Sequence, residues 1–197
     1  MKIRNFKCVI LAVSVCLGLG ACSKSDAPSK TNEPIRPVTA TSSAFVDTVF
    51  SFTPAPGQFV NTPLADIATV SKITKNETIS LGAWGGQIVL GFDHTVLNKK
   101  GADLKITGNA GDEMSEAGIV WVMYDRNANG LPDDDWYELK GSAMNQPGYQ
   151  RNYKITYFKP ADAGTDIQWE DNAGKKGVVK ANIYHKQSYY PGWISTD

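Results

Sequence analysis

Residues 118–139 read GIVWVMYDRNANGLPDDDWYEL, and this stretch decides the fold. Residues 118–124 form an unbroken apolar run rich in Val, Ile and aromatics, closed by Gly118 at one end and Asp125 at the other. Ile119, Trp121 and Met123 alternate with Val120, Val122 and Tyr124. Both faces are apolar, so a strand covered on both sides, not an edge, is expected. A second strand is expected over residues 136–139, directly after the intervening polar loop.

That loop holds the densest set of oxygen ligands in the chain. Asp125, Asn127 and Asn129 place side-chain oxygens at alternate positions, and Gly130 permits the sharp turn after them. The spacing matches most of a D-x-[DN]-x-[DN]-G calcium loop, in which Leu131 would add its carbonyl. The closing Glu of that pattern is replaced by Trp136, so Asp133, Asp134 or Asp135 would have to complete the site, with Glu138 as a further choice. No helix is expected on either side, which separates the loop from an EF-hand. Oxygen-only ligation favours Ca²⁺ over Zn²⁺ or a redox metal. The competing reading is a rigid Asx-turn loop that needs no ion.

Composition bounds the rest. The formal net charge is zero, with 20 basic and 20 acidic residues, which gives no electrostatic footprint for nucleic acid. Eighteen glycines and many short β-rich runs between turn residues point to a mainly β protein. The three cysteines, Cys8, Cys16 and Cys22, all precede the body of the chain, so a disulfide or thiolate metal site there is excluded.

The start reads as a targeting signal. Lys2, Arg4 and Lys7 precede an apolar run over residues 8–21, shorter than the roughly 20 residues of a membrane span. It ends in Leu19-Gly-Ala-Cys22, which resembles a bacterial lipobox whose cysteine is lipidated after cleavage. Residues 1–21 are therefore expected to be a lipoprotein signal peptide, with Cys22 the lipidation site. Ser23-Lys-Ser-Asp26 partly resembles the export tag of surface lipoproteins of Bacteroidetes, which implies outer-membrane, cell-surface display. Residues 22–43, rich in Pro, Ser, Thr and Lys, are expected to be a flexible tether.

Residues 44–197 are expected to fold as one antiparallel β-sandwich with a single short helix. Strands are expected over residues 45–52, 87–92, 104–107, 153–158 and 183–190, with a hairpin of 167–170 and 177–181 around Asn172-Ala-Gly174. Thr62 as cap, Pro63 at the first position, and Leu64, Ile67, Val70 and Ile73 predict a helix over residues 63–74. The glycines around Trp84 do not have dinucleotide-binding spacing and are expected to permit positive φ and close backbone packing.

Catalysis is poorly supported: there is no Gly-x-Ser-x-Gly elbow, and the two histidines, His94 and His185, lie in different segments, while paired carboxylates for glycoside hydrolysis stay open because their pairing is spatial. Each reads as a structural residue. Trp84, among glycines, and Trp193, beside Pro191-Gly192, are candidate stacking platforms for a ligand, and Asn109 is a candidate contact in the polar loop of residues 108–116. Trp121 and Trp136 are expected in the core.

From Phe50 onward the chain resembles a family of Bacteroidetes cell-surface lipoproteins labelled "cell surface protein" or PKD-domain-containing protein. The residues that carry the resemblance include Phe52-Thr-Pro-Ala-Pro-Gly-Gln-Phe59, Ile79-Ser-Leu-Gly82, Gly91-Phe-Asp-His94 and Asn129-Gly-Leu-Pro-Asp-Asp134. Trp136-Tyr-Glu-Leu139 and Tyr189-Tyr-Pro191 with Trp193-Ile194 continue it. The resemblance implies a galactose-binding-like jelly roll, with further strands beyond Asp197 in other members, so a shortened member with an exposed sheet edge is expected. The function expected is a surface-anchored, non-catalytic module with a structural calcium loop that captures a glycan or another small-molecule nutrient. Alternatives are a cobamide (vitamin B12)-binding surface lipoprotein, as some related surface lipoproteins are thought to be, and a glycan-active hydrolase.

Overall fold

The computed structural model describes residues 34–72, 78–109, 112 and 116–194; the signal segment, Cys22, the first part of the expected tether and the end of the expected helix lie outside them. The protein is mainly β, as expected. Seven strands and one short helix are present among the described residues, and every strand pairing is antiparallel. The strands form three small sheets, an arrangement consistent with a β-sandwich.

The first sheet pairs β1 (Thr48–Thr53) with β2 (Gln87–Gly91). Its register slips between Val49 and Ser51, where Phe50 is the extra residue of a bulge. Gly91 leaves room for that ring, since a Cβ there would lie 2.5 Å from Phe50 Cε2. The alternation in β2 sends Ile88 and Leu90 inward, as their spacing predicts. They join Phe52, Val60, Ala65, Val70 and Val122 in a first core. Full burial of a side chain such as Ile88 contributes about 1.5–3 kcal/mol.

The third sheet is β5 (Ile155–Tyr157), β6 (Ile167–Asp171) and β7 (Lys176–Val179). The expected hairpin is present, and Gly174, at φ 81°, makes its turn. Ile155, Tyr157 and Ile167 form a second core with Ala55, Tyr189 and Tyr190. Residues 54–57, all buried, follow Phe52 of the first core and include Ala55 of the second.

Several expectations are corrected. Residues 118–124 give only a three-residue strand, β3 (Trp121–Met123), paired with β4 (Trp136–Glu138) in a two-stranded ribbon. Val122 and Met123, which face opposite sides of the strand, are both buried, so β3 is covered on both faces as expected, but with β4 as its one ladder partner it is an edge and not a central strand. Residues 104–107 form no strand: Leu104 packs on the first core without a ladder partner, and Ile106 is exposed. Residues 183–190 form no strand: a tight turn at residues 183–184 is closed by one bridge between Asn182 and His185, and residues 186–190 run on without regular structure. The helix is one turn, α1 (Ile67–Val70), capped by Asp66, whose carboxylate accepts from the amides of Ala68 and Thr69. Thr62 is spent on a tighter turn, donating to the Phe59 carbonyl at 2.6 Å, so the chain reaches helical geometry only after Ala65.

No helix among the described residues is long and apolar enough to cross a membrane.

Candidate functional site

The Asp125 loop folds around its own first carboxylate. Asp125 is buried; its Oδ1 accepts from the Asn129 amide at 3.0 Å and its Oδ2 from the Gly130 amide at 2.9 Å. Asn127 Oδ1 converges on the same Asn129 amide at 2.9 Å, and Asn129 Oδ1 accepts from the Leu131 amide at 2.8 Å. These bonds hold Ala128 at φ 55° and Gly130 at φ 73°, a left-handed geometry that a non-glycine residue adopts only under constraint.

Of the seven residues expected to ligate calcium, Asp125, Asn127 and Asn129 are therefore brought together, and Leu131 follows at the exposed tip. Asp133 joins them through the Asn129 side-chain amide at 3.0 Å. Asp134 and Asp135 turn to Arg126, accepting from its backbone amide at 3.0 Å and its guanidinium at 3.4 Å. A positive charge already stands at the centre: Arg36 Nε lies 3.5 Å from Asp125 Oδ2. A divalent ion set against that oxygen would meet the guanidinium at close range in a poorly hydrated place, where charge repulsion is strong. Beside Arg36, on the Oδ2 side, the arrangement leaves no favourable place for a calcium ion; the loop's own amide bonds have the form of an Asx turn.

Sequence reasoning did not pick out Arg36. It lies within residues 22–43, where a flexible tether is expected, yet its amide donates to Thr95 Oγ1 at 2.9 Å and its carbonyl accepts from the Thr95 amide at 2.9 Å. The one available signal is Pro34-Ile-Arg-Pro37, two prolines that stiffen the backbone on either side of a lone arginine.

The second candidate is Trp84. Its residue is 56% exposed, the one large aromatic in the glycine-rich approach to β2. It is nevertheless fixed. Its carbonyl accepts from the buried Tyr157 hydroxyl at 2.8 Å, and its ring meets that of Trp169 edge to face, at 5.7 Å between centroids and 90° between planes. Gly82 and Gly85 take φ of 73° and 91°, as expected of these glycines. Gly177 on β7 gives Trp169 its place, because a Cβ there would lie 2.4 Å from the Trp169 ring. Burial pushes the Tyr157 hydroxyl far above its ordinary pKa, so it stays a proton donor to the Trp84 carbonyl.

The other two ligand candidates differ. Trp193 is no surface platform: it packs on the first core, stacked on Phe52 at 6.2 Å and 25°. Asn109 is exposed, and its side chain is tied to Glu116 at 2.7 Å. Trp121 and Trp136 are half-buried on the ribbon.

Several other titratable groups make local contacts. His94 Nδ1 lies 2.6 Å from Asp93 Oδ1, and this bond, with the Ser43 amide on Asp93 Oδ2, holds the Asp93 carboxyl below its usual range. His185 packs edge-on against Phe59, and its amide donates to Asn182 Oδ1. Burial works to raise the pKa of Asp171, but the amides of Lys175 and Ala173 and the Tyr153 hydroxyl outweigh it and leave the carboxyl lowered. The two amide bonds close the β6–β7 turn, and the Tyr153 hydroxyl ties it to the start of β5. Glu138 accepts from the Tyr149 hydroxyl and pairs with Arg151.

No protein-family model matches this chain, and no curated protein matches it.

Proposed function

We propose that the protein is a lipid-anchored surface module that captures a neutral glycan on Trp84, without catalysis. The observation that carries this reading is a large indole held in water by a rigid frame. An aromatic side chain in water gains from being covered, and a mobile one loses that gain to ordering when a ligand arrives. Here the Tyr157 hydroxyl, the Trp169 ring and the glycine turns have already fixed the position. The C–H-lined face of a pyranose ring is a ligand whose chemistry such an indole fits.

The full chain, titrated with a panel of soluble polysaccharides by affinity electrophoresis, is expected to bind at least one of them. Trp84→Ala should weaken that binding by roughly 30-fold, the size of a tryptophan hot spot. Its unfolding midpoint should hardly move, because most of the side chain is exposed. Equal retardation of the variant and the parent, or no retardation of the parent by any glycan, would refute the assignment.

The anchor reading rests on the charged start, the short apolar run and Cys22. In cells with a lipoprotein pathway, the chain should take up labelled palmitate and partition into detergent. Cys22→Ala should abolish both, and labelling that survives the substitution would exclude Cys22 as the acceptor.

A further inference from the structure

Arg36 belongs to no strand, yet it touches two separate parts of the molecule, residues 92–95 and the Asp125 loop. Its backbone makes the reciprocal pair with Thr95. Its Nη1 donates to the Phe92 carbonyl at 2.7 Å. Its Nε, buried from water, faces Asp125 Oδ2 at 3.5 Å. The guanidinium lies flat over Gly130, where a Cβ would stand 3.1 Å from Cζ and 3.2 Å from both Nε and Nη1. Gly130 is therefore needed twice, for its positive φ and as the seat of the arginine. Further along, the Ser43 amide donates to Asp93 and the Asp47 amide to the Gly91 carbonyl. Residues 36–47 thus run beside residues 91–95 and continue directly into β1.

We propose that Arg36 is the built-in counter-cation of the Asp125 loop, and that through it residues 36–43 strap the ribbon of β3 and β4 to the first sheet. The role is one that a metal ion fills in loops with this ligand spacing. Here the charge is supplied from within the chain. The Asp125 side chain is 3% exposed and that of Arg36 24%, so the pair is little screened by salt, unlike an ion pair on the open surface. Removing the arginine leaves a buried carboxylate with its two backbone amides and no compensating charge, the costly half of a buried pair. The loop is then expected to open locally while the two cores remain closed.

The test is amide hydrogen exchange on the full chain, read at Asn129 and Gly130, with calcium and with excess EGTA. In the parent protein both amides should be protected equally in the two conditions. Arg36→Gln should speed their exchange by at least about tenfold in EGTA, as expected for an orphaned buried carboxylate. Arg36→Lys keeps the charge and, as the counter-cation role requires, should stay within about threefold of the parent. The proposal is overturned if EGTA alone frees these amides in the parent, because a metal then holds the loop. It is also overturned if Arg36→Gln exchanges like the parent, or if Arg36→Lys is as loose as Arg36→Gln. None of these readings involves Trp84, so the glycan assignment stands or falls separately.

Discussion

Gly86→Ala is expected to abolish stable folding. A Cβ at this position would lie 1.7 Å from the Leu81 carbonyl oxygen, 2.7 Å from its carbon and 2.9 Å from the Ala55 nitrogen. All three are backbone atoms, so no side chain can swing aside. The overlap falls on a bond that matters: the Ala55 amide donates to the Leu81 carbonyl at 2.9 Å. Ala55 belongs to the second core and Leu81 packs against the first, so forcing them apart separates the two cores. A loss above about 4 kcal/mol, in the range of severe overpacking with a broken buried hydrogen bond, follows. Gly141→Ala is the matched control, since its Cβ would meet nothing within 4 Å. Urea unfolding followed by circular dichroism should show Gly141→Ala within about 0.5 kcal/mol of the parent. If Gly86→Ala shares that midpoint, the packing described for residues 81–86 is not the packing in solution.

Tyr157 should show the next largest effect, and it splits in two. Tyr157 is 0% exposed and sits at the centre of the second core, in β5. Tyr157→Ala removes a whole ring and leaves a cavity, for a loss of about 3–5 kcal/mol by analogy with buried aromatics elsewhere. Tyr157→Phe keeps the ring and removes only the hydroxyl that holds the Trp84 carbonyl, which costs about 1 kcal/mol. The phenylalanine variant should stay folded and bind glycan more weakly, because the indole loses one of its supports. A Tyr157→Ala variant within about 1 kcal/mol of the parent would contradict the burial of this residue. Unchanged binding by Tyr157→Phe would show that Trp84 is positioned without it.

The sequence was most legible where a local rule and burial agree. The β6–β7 hairpin carries its own turn residue in Gly174, and Ile88 and Leu90 alternate into the core as their period requires. It misled where apolar residues pack without a ladder. Leu104 and Ile106 have the spacing of a strand, but only Leu104 reaches the core and no neighbouring strand pairs with them. Leu64, Ile67 and Val70 have helical spacing, but only Val70 is buried, and Asp66 begins the helix later than Thr62 would. At the candidate sites, the turn at Asp125 was readable from its own residues; the exposure of Trp84 was not, since Trp193 has similar glycine and proline neighbours and packs on the first core. The partner of Asp125 was not. Arg36 is far away in sequence and its surroundings have the composition of a linker, so nothing local points from one to the other.

The register of the first sheet has a mechanical meaning. In an antiparallel pair the two N-terminal ends lie at opposite ends of the ladder: Thr48 stands across from Gly91, and Gln87 across from Thr53. The chain enters β1 from the N-terminal side, and Trp84 lies just ahead of Gln87. A pull between the N-terminus and a load gripped at Trp84 therefore slides β1 and β2 past each other. Every ladder bond is strained at once, whereas a pull on adjacent ends would peel them one by one. A module held by its N-terminal end would meet drag on its ligand in shear, the direction in which this small sheet yields last.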